Sequence, residues 1–183
     1  DDTFTGASLD FPRTKTGLFT AFVFDRTRPD GRALDYEGPE RRYTAGLRYA
    51  GRHRGWDGSA QANVQWGRAG DGRDIRSTGG IITGTYAFDA PHAPRFVGTI
   101  NYAGGDKRLG DDQINTFDPV YPNNFGLSDA PYLYQTNFLM LSGQGLMRFG
   151  GADYGLGALR VSRASAGDAL YGQGRALPGT IGG

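Results

Sequence analysis

The chain has 183 residues, 31 of them glycine and none cysteine, with a formal net charge of +1. That length suits one domain or part of a larger one. The missing cysteines exclude disulfides, Cys-metal sites and a thiol nucleophile. The near-neutral charge gives no overall pull toward nucleic acid, and no apolar run approaches the roughly 18 residues of a transmembrane helix. A mean hydropathy of -0.50 does not argue against a membrane barrel, in which lumen and lipid residues alternate along each strand.

In chain order, about eight segments read as strands, near 3–11, 16–25, 42–52, 56–68, 74–88, 95–103, 136–149 and 153–163. None shows a sustained 3.6-residue apolar period, so no long helix is expected. The second segment, with Leu18, Phe19, Phe22, Val23 and Phe24, is apolar on both faces, which would suit cover from a loop inside a barrel. In the third, Tyr43, Ala45, Leu47 and Tyr49 share one parity and Arg42, Thr44, Arg48 and Arg52 the other. The fourth alternates without a break. Ala60, Ala62, Val64 and Trp66 oppose Ser59, Gln61, Asn63 and Gln65, and Trp56 and Trp66 share the apolar parity. Ten residues of tilted strand cover about 25 Å along a barrel axis, close to an outer-membrane apolar band with an aromatic anchor at each edge. The fifth sets Ile82, Tyr86 and Phe88 against Thr83 and Thr85; the sixth sets Phe96, Ile100 and Tyr102 against Thr99 and Asn101. The seventh and eighth leave their register open.

The links alternate in length. Short ones fall at 10–15, 53–55, 89–94 and 150–152. Longer polar ones fall at 27–41, 69–73 and 104–135, with the residues after 164 on that same side. Outer-membrane barrels sort their periplasmic turns and extracellular loops in this way. The fold expected is therefore an all-β, antiparallel transmembrane β-barrel, present as a partial barrel of about eight strands. Both ends of the chain read as cut, so the whole is expected to be part of one barrel domain. Taken alone it should be a curved, open sheet with two unpaired edges.

With strands and links placed, Tyr102-Ala103-Gly104-Gly105-Asp106 ends a strand and leads to Asn115-Thr116-Phe117-Asp118-Pro119-Val120-Tyr121-Pro122. This resembles the alginate-export family of bacterial outer-membrane barrels. The segments 43–52, Gln65-Trp66-Gly67-Arg68 and Asp168-Ala169-Leu170-Tyr171 are similar to that family as well. One departure is Ala103-Gly104-Gly105, where the family more often has a Ser-Gly step. The resemblance implies a large antiparallel barrel, of which this chain supplies fewer than half the strands. It also implies an outer-membrane location and passage of an anionic polysaccharide such as alginate, or a small organic acid, by passive diffusion.

The candidate pore-lining residues are Arg42, Arg48, Arg52, Gln61, Asn63, Gln65 and Arg160, with Arg163 on the same uncertain strand as Arg160. Guanidinium groups stay charged and present a planar fork to carboxylates. The plainer alternative pairs these arginines with acidic wall residues, most readily Arg42 and Arg52 near the rims. Lys107, Arg108, Asp111 and Asp112 are expected to be solvated, or else to form a lid folded into the pore. The segment 115–122 is expected to set loop shape rather than bind solute, because Pro119 and Pro122 fix backbone angles and Phe117 and Tyr121 can pack. Asp71 and Asp111-Asp112 lack EF-hand spacing and suit turn chemistry better than Ca²⁺. His53 and His92 lie in turns, and Ser162 and Ser165 have no base pattern nearby. Neither an enzyme activity nor a cofactor is expected. The expected partners are outer-membrane lipid and an anionic solute, with no nucleic acid. Two rivals are a non-conducting barrel acting as receptor or structural protein, and a soluble all-β binding domain.

Overall fold

The computed structural model describes residues 1–33, 35–120, 134–172 and 175–179. Eight long or medium strands form one antiparallel meander: β1 (Thr3–Asp10), β2 (Gly17–Ala33), β3 (Tyr36–His53), β4 (Trp56–Ala69), β5 (Asp74–Ala87), β6 (Arg95–Ala103), β8 (Phe138–Phe149) and β9 (Ala152–Ser162). The two-residue β7 (Gln113–Ile114) adds to β5 in parallel, and β10 (Tyr171–Gly172) pairs with β11 (Arg175–Ala176) in a separate ribbon. The order β1-β2-β3-β4-β5-β6-β8-β9 does not return on itself, so the sheet is open, as expected for part of a barrel.

All eight expected strands are present, most of them within two residues of the expected bounds. The exception is the link placed at 27–41. There β2 and β3 continue as one long hairpin, of 17 and 18 residues, with a register shift between Arg28 and Gly31. Apolar alternation fades once a strand leaves the apolar band, so the polar outer part of this hairpin read as a loop. A strand needs only about 9–11 residues to cross a membrane, and this pair runs well past that.

Pairing assigns every strand position to a face. Leu47 sits opposite Ala62, Ala45 opposite Val64, and Tyr43 opposite Trp66. Ile82 sits opposite Ile100, which sits opposite Leu141. These residues share one face, and none of the described residues covers it: Leu47 is 61% exposed, Ile82 55% and Val64 51%. A water-soluble protein seldom leaves an apolar surface of this extent bare. The stacked Tyr43–Trp66 pair and the Trp56–Tyr86 pair lie toward its two ends.

The other face is polar in mid-sheet and covered by loops toward the ends of the strands where the long links lie. Both small apolar clusters sit there. Tyr36, Ala69, Ile75 and Ile114 form one. Ala103, Phe117, Phe138 and Met140, with Val161 against them, form the other. The core thus lies between loop and wall. Phe117 can lie flat on the sheet because Gly79 is beneath it; a Cβ there would meet the Phe117 ring at 2.8 Å. β6 reaches only Gly79 on β5, so residues 74–78 of β5 extend beyond it. The loop fills that edge. Asp74 N–H donates to Asp112 O, Asn115 Nδ2 donates to Arg76 O, and Gly104 N–H donates to Thr78 O, each at 2.9 Å.

Candidate functional site

The loop-covered face carries Arg26 and Arg28 on β2, Glu40, Arg42 and Thr44 on β3, Gln65 on β4 and Ser77 on β5. All hold the same strand parity, because Arg26 pairs with Arg42, Arg28 with Glu40, Thr44 with Gln65, and Gln65 with Ser77. The segment Thr116–Pro119 descends onto them. Arg26 Nη2 donates to Asp118 Oδ2 at 2.7 Å, and Arg28 donates to the same oxygen. Arg42 Nη1 donates to Thr116 O at 3.0 Å and to Gln65 Oε1 at 2.9 Å. Glu40 is the second carboxylate, with Arg28 at 2.9 Å and Arg42 at 3.3 Å, so two carboxylates face three guanidinium groups.

Gln65 is the neutral hub. Its Oε1 accepts from Arg42, from Ser77 Oγ at 2.9 Å and from Asp118 N–H at 3.0 Å. Its Nε2 donates to Thr44 Oγ1 at 3.1 Å and to Asp118 O at 2.6 Å. Burial pushes the Asp118 carboxyl up, but Arg26, Arg28 and Arg42 outweigh it and hold it below the ordinary carboxylate value. Burial also pushes the nearby Tyr134 hydroxyl up to about 12, with Asp118 adding to the effect.

A second latch holds the start of the same loop. Asp168 Oδ2 accepts the Thr116 hydroxyl at 2.6 Å and Asp106 N–H at 2.9 Å. Its Oδ1 accepts the Tyr171 hydroxyl at 2.7 Å. Asn137, in a left-handed conformation that Asn tolerates, donates to Ala169 O at 2.8 Å and accepts Ser165 N–H at 2.7 Å. Gly105 lies against the Asn137 side chain, where a Cβ would collide. The Asp106 carboxyl is pushed up by burial, against the N–H bond from Arg108. The two stretches that carry the resemblance, 115–119 and 168–171, therefore meet at Thr116 and Asp168. Tyr121 and Pro122 lie outside the described residues.

Toward the short-turn end the same face opens into a concavity of about 630 Å³. Arg48, Gln61, Asn63, Thr20, Phe22 and Phe24 line it, and Phe117 and Pro119 lie at its margin. Gln61 Nε2 donates to Asn63 Oδ1 at 3.1 Å. Among the described residues Arg48 has no acidic partner within ion-pair distance. The two-sided apolar pattern of β2 is explained here. Phe22 and Phe24 point to the loop-covered face, and Phe19 and Val23 to the bare one.

The sequence-derived candidates divide. Arg48, Gln61 and Asn63 line the open concavity. Arg42 and Gln65 have the expected parity but are 2% and 3% exposed; they hold the loop and do not front open space. Arg52 has the expected parity at the short-turn end and is paired with Asp57 at 2.5 Å. Arg160 is a correction: it pairs with Leu141, and Leu141 shares the bare apolar face with Ile100, so Arg160 points away from the concavity. Gly155 and Gly157 blur the parity of β9, which left its register open.

Lys107, Arg108, Asp111 and Asp112 are exposed on the outer turn of the loop. Asp71 and Asp111 accept N–H bonds from Arg73 and Gln113 two residues on, as turn chemistry requires. Arg26, Arg28, Glu40 and Asp118 were not singled out as site residues from the sequence. Their one signal is that Arg26 and Arg28 continue the parity of Phe22 and Phe24, the side on which Arg42 also falls.

The sequence model of a family described as alginate export matches residues 1–182. No curated protein matches the chain.

Proposed function

The chain belongs to the alginate export family, a family of transport proteins whose strand architecture points to the bacterial outer membrane, and from that premise we propose that it forms one arc of a passive pore. Residues 1–183 belong to a single barrel domain whose remaining strands close the gap between β9 and β1. Arg48, Gln61 and Asn63 line the path of an anionic polysaccharide such as alginate, or of a small organic acid. Arg52 stands at the short-turn mouth. No catalytic step is involved.

The observation that carries this reading is Arg48 itself. It is an exposed guanidinium in mid-strand, beside amides and, among the described residues, without a carboxylate partner. On a lipid-facing surface a mid-membrane arginine costs about 2–4 kcal/mol. In a wet lumen it costs little and attracts anions along focused field lines. The bare apolar face opposite it supports a lipid-facing outer wall. Full-length protein in planar bilayers tests the reading: stepwise conductance with anion selectivity is expected, and flux down a solute gradient without an energy source. Stable insertion without conductance would replace it with the second reading, a non-conducting receptor. One observation favours that alternative: the loop 104–119 lies packed on the inner wall instead of standing clear of it.

A further inference from the structure

The bare face carries a charged cluster that the pore does not use. At the long-link end of the sheet, Arg41 on β3 pairs across to Arg68 on β4, and Arg76 on β5 pairs with Trp66 on β4. All three guanidinium groups point to the same side as Leu47, Val64 and Ile82. They surround a recess of about 380 Å³ whose floor includes the rings of Tyr43 and Trp66. Those rings are stacked at 5.7 Å, and the Arg41 guanidinium lies over Tyr43 at 5.1 Å.

Two carboxylates enter the cluster. Asp25 binds Arg41 by two bonds, of 3.1 and 2.6 Å. Asp74 lies 3.6 Å from Arg68 and 3.7 Å from Arg76, too far for good hydrogen bonds. Three cations against two anions leave an excess positive charge. Arg68 and Arg76 are 74% and 67% exposed at the side chain, and among the described residues Asp74 is their one charged partner, beyond hydrogen-bond distance.

We propose that this recess binds the phosphate-bearing headgroup of an outer-leaflet lipid. The inference rests on the membrane reading above. A guanidinium fork matches a phosphate in two-point geometry. The stacked aromatic pair marks the depth at which headgroups begin, since Trp and Tyr rings settle at that interface. Below it the apolar stripe of Ala45, Val64, Leu47 and Ala62 offers a bed for acyl chains. A free inorganic anion would use the arginines alone; a lipid uses the arginines, the ring floor and the stripe together. The placement also explains why Arg41, Arg68 and Arg76 cluster at the long-link end of the bare face, beyond its apolar stripe.

The test uses full-length protein in phosphatidylcholine nanodiscs containing bisphosphorylated lipid A, with lipid retained per barrel read by native mass spectrometry. Arg68→Gln/Arg76→Gln leaves the Arg41–Asp25 pair intact, and a triple variant adds Arg41→Gln. Wild type is expected to retain bisphosphorylated lipid A above monophosphorylated lipid A. The double variant is expected to lose about tenfold in retention, the loss that follows from removing more than one charge-assisted contact. Arg148→Gln, at the opposite end of the sheet, removes one charge and is expected to retain lipid like wild type. Equal retention by wild type and a folded double variant would overturn the inference. So would complete displacement of the lipid by millimolar inorganic phosphate. If wild type fails to enter nanodiscs at all, the membrane reading falls instead, and the two failures are thereby distinct.

Discussion

Two arginines on β3, six residues apart and of the same parity, live in opposite surroundings. Arg42 is sealed beneath the loop, sharing Glu40 and holding Thr116 O and Gln65. Arg48 stands at the open concavity with amides for neighbours. Strand parity sends both side chains inward, but the long-range loop contact decides which one is a fastening and which one fronts the open concavity. A buried charge is kept by its partners and is costly to orphan; an exposed one in a pore is free to act on whatever passes.

The comparison breaks most sharply at Asp118. Asp118→Ala leaves Arg26, Arg28 and Arg42 with Glu40 as their one carboxylate among the described residues, and the expected loss is about 3–5 kcal/mol, the scale for removing one partner of a buried ion network. Thermal unfolding in detergent measures it, and limited proteolysis should show cleavage within 104–119. An intact loop at unchanged stability would count against the latch.

Acid tests the same carboxylate more gently. Its folded value lies below the ordinary one, so its contribution is present above about pH 4 and is lost as pH falls through the depressed value. Asp106 works the other way: its raised value means that ionisation opposes folding as pH climbs past the ordinary carboxylate range. A spin label on the loop near Asp118 is expected to gain mobility on the acid side, below about pH 4, as that carboxylate is protonated.

Gly79→Val puts a side chain under the Phe117 ring. Overpacking of this kind costs about 1–3 kcal/mol, less than losing the ion network. Its signature is a lowered melting temperature in the full-length protein, with a smaller shift for the double variant Gly79→Val/Phe117→Ala than the two single changes would sum to.

Arg48→Glu is expected to leave the melting temperature unchanged and to move the reversal potential in asymmetric salt toward cation selectivity. Unchanged reversal potentials in a folded protein would remove Arg48 from the selectivity reading. Arg52→Gln, with 80% of its side chain exposed, should move both quantities least, because an exposed ion pair contributes little.

Much of the wall was legible in the chain. The alternation from Ala60 to Trp66 and the opposition of Tyr43 to Arg42 depend only on a two-residue period, so facing could be assigned without partners. The outer half of the β2–β3 hairpin was not legible, because outside the apolar band both faces of a strand meet polar surroundings and the period vanishes. Arg160 was misjudged for a related reason: glycines at 155 and 157 leave few side chains from which to read parity. The buried network was hidden more deeply. Whether Arg42 and Gln65 front open space depends on Thr116 and Asp118, far away in the chain, and no local pattern in β3 or β4 encodes that. The resemblance pointed to the loop without saying what its aspartate holds.

The extra length of β5 beyond β6 has a consequence for the order of assembly. Apart from β6–β8, joined through the long link 104–137, the hairpins of the wall zip from short turns, so their contacts are cheap in chain entropy and early to form. The parallel pairing of β7 with β5 must wait until the β5–β6 hairpin and the first part of the loop have folded back. Until then the backbone groups of residues 74–78 on that edge lack their partners and offer a ready template to any extended strand nearby. The loop is thus also the last tooth of the zip, and variants that loosen it are expected to aggregate on refolding before they lose a single contact of the mature wall.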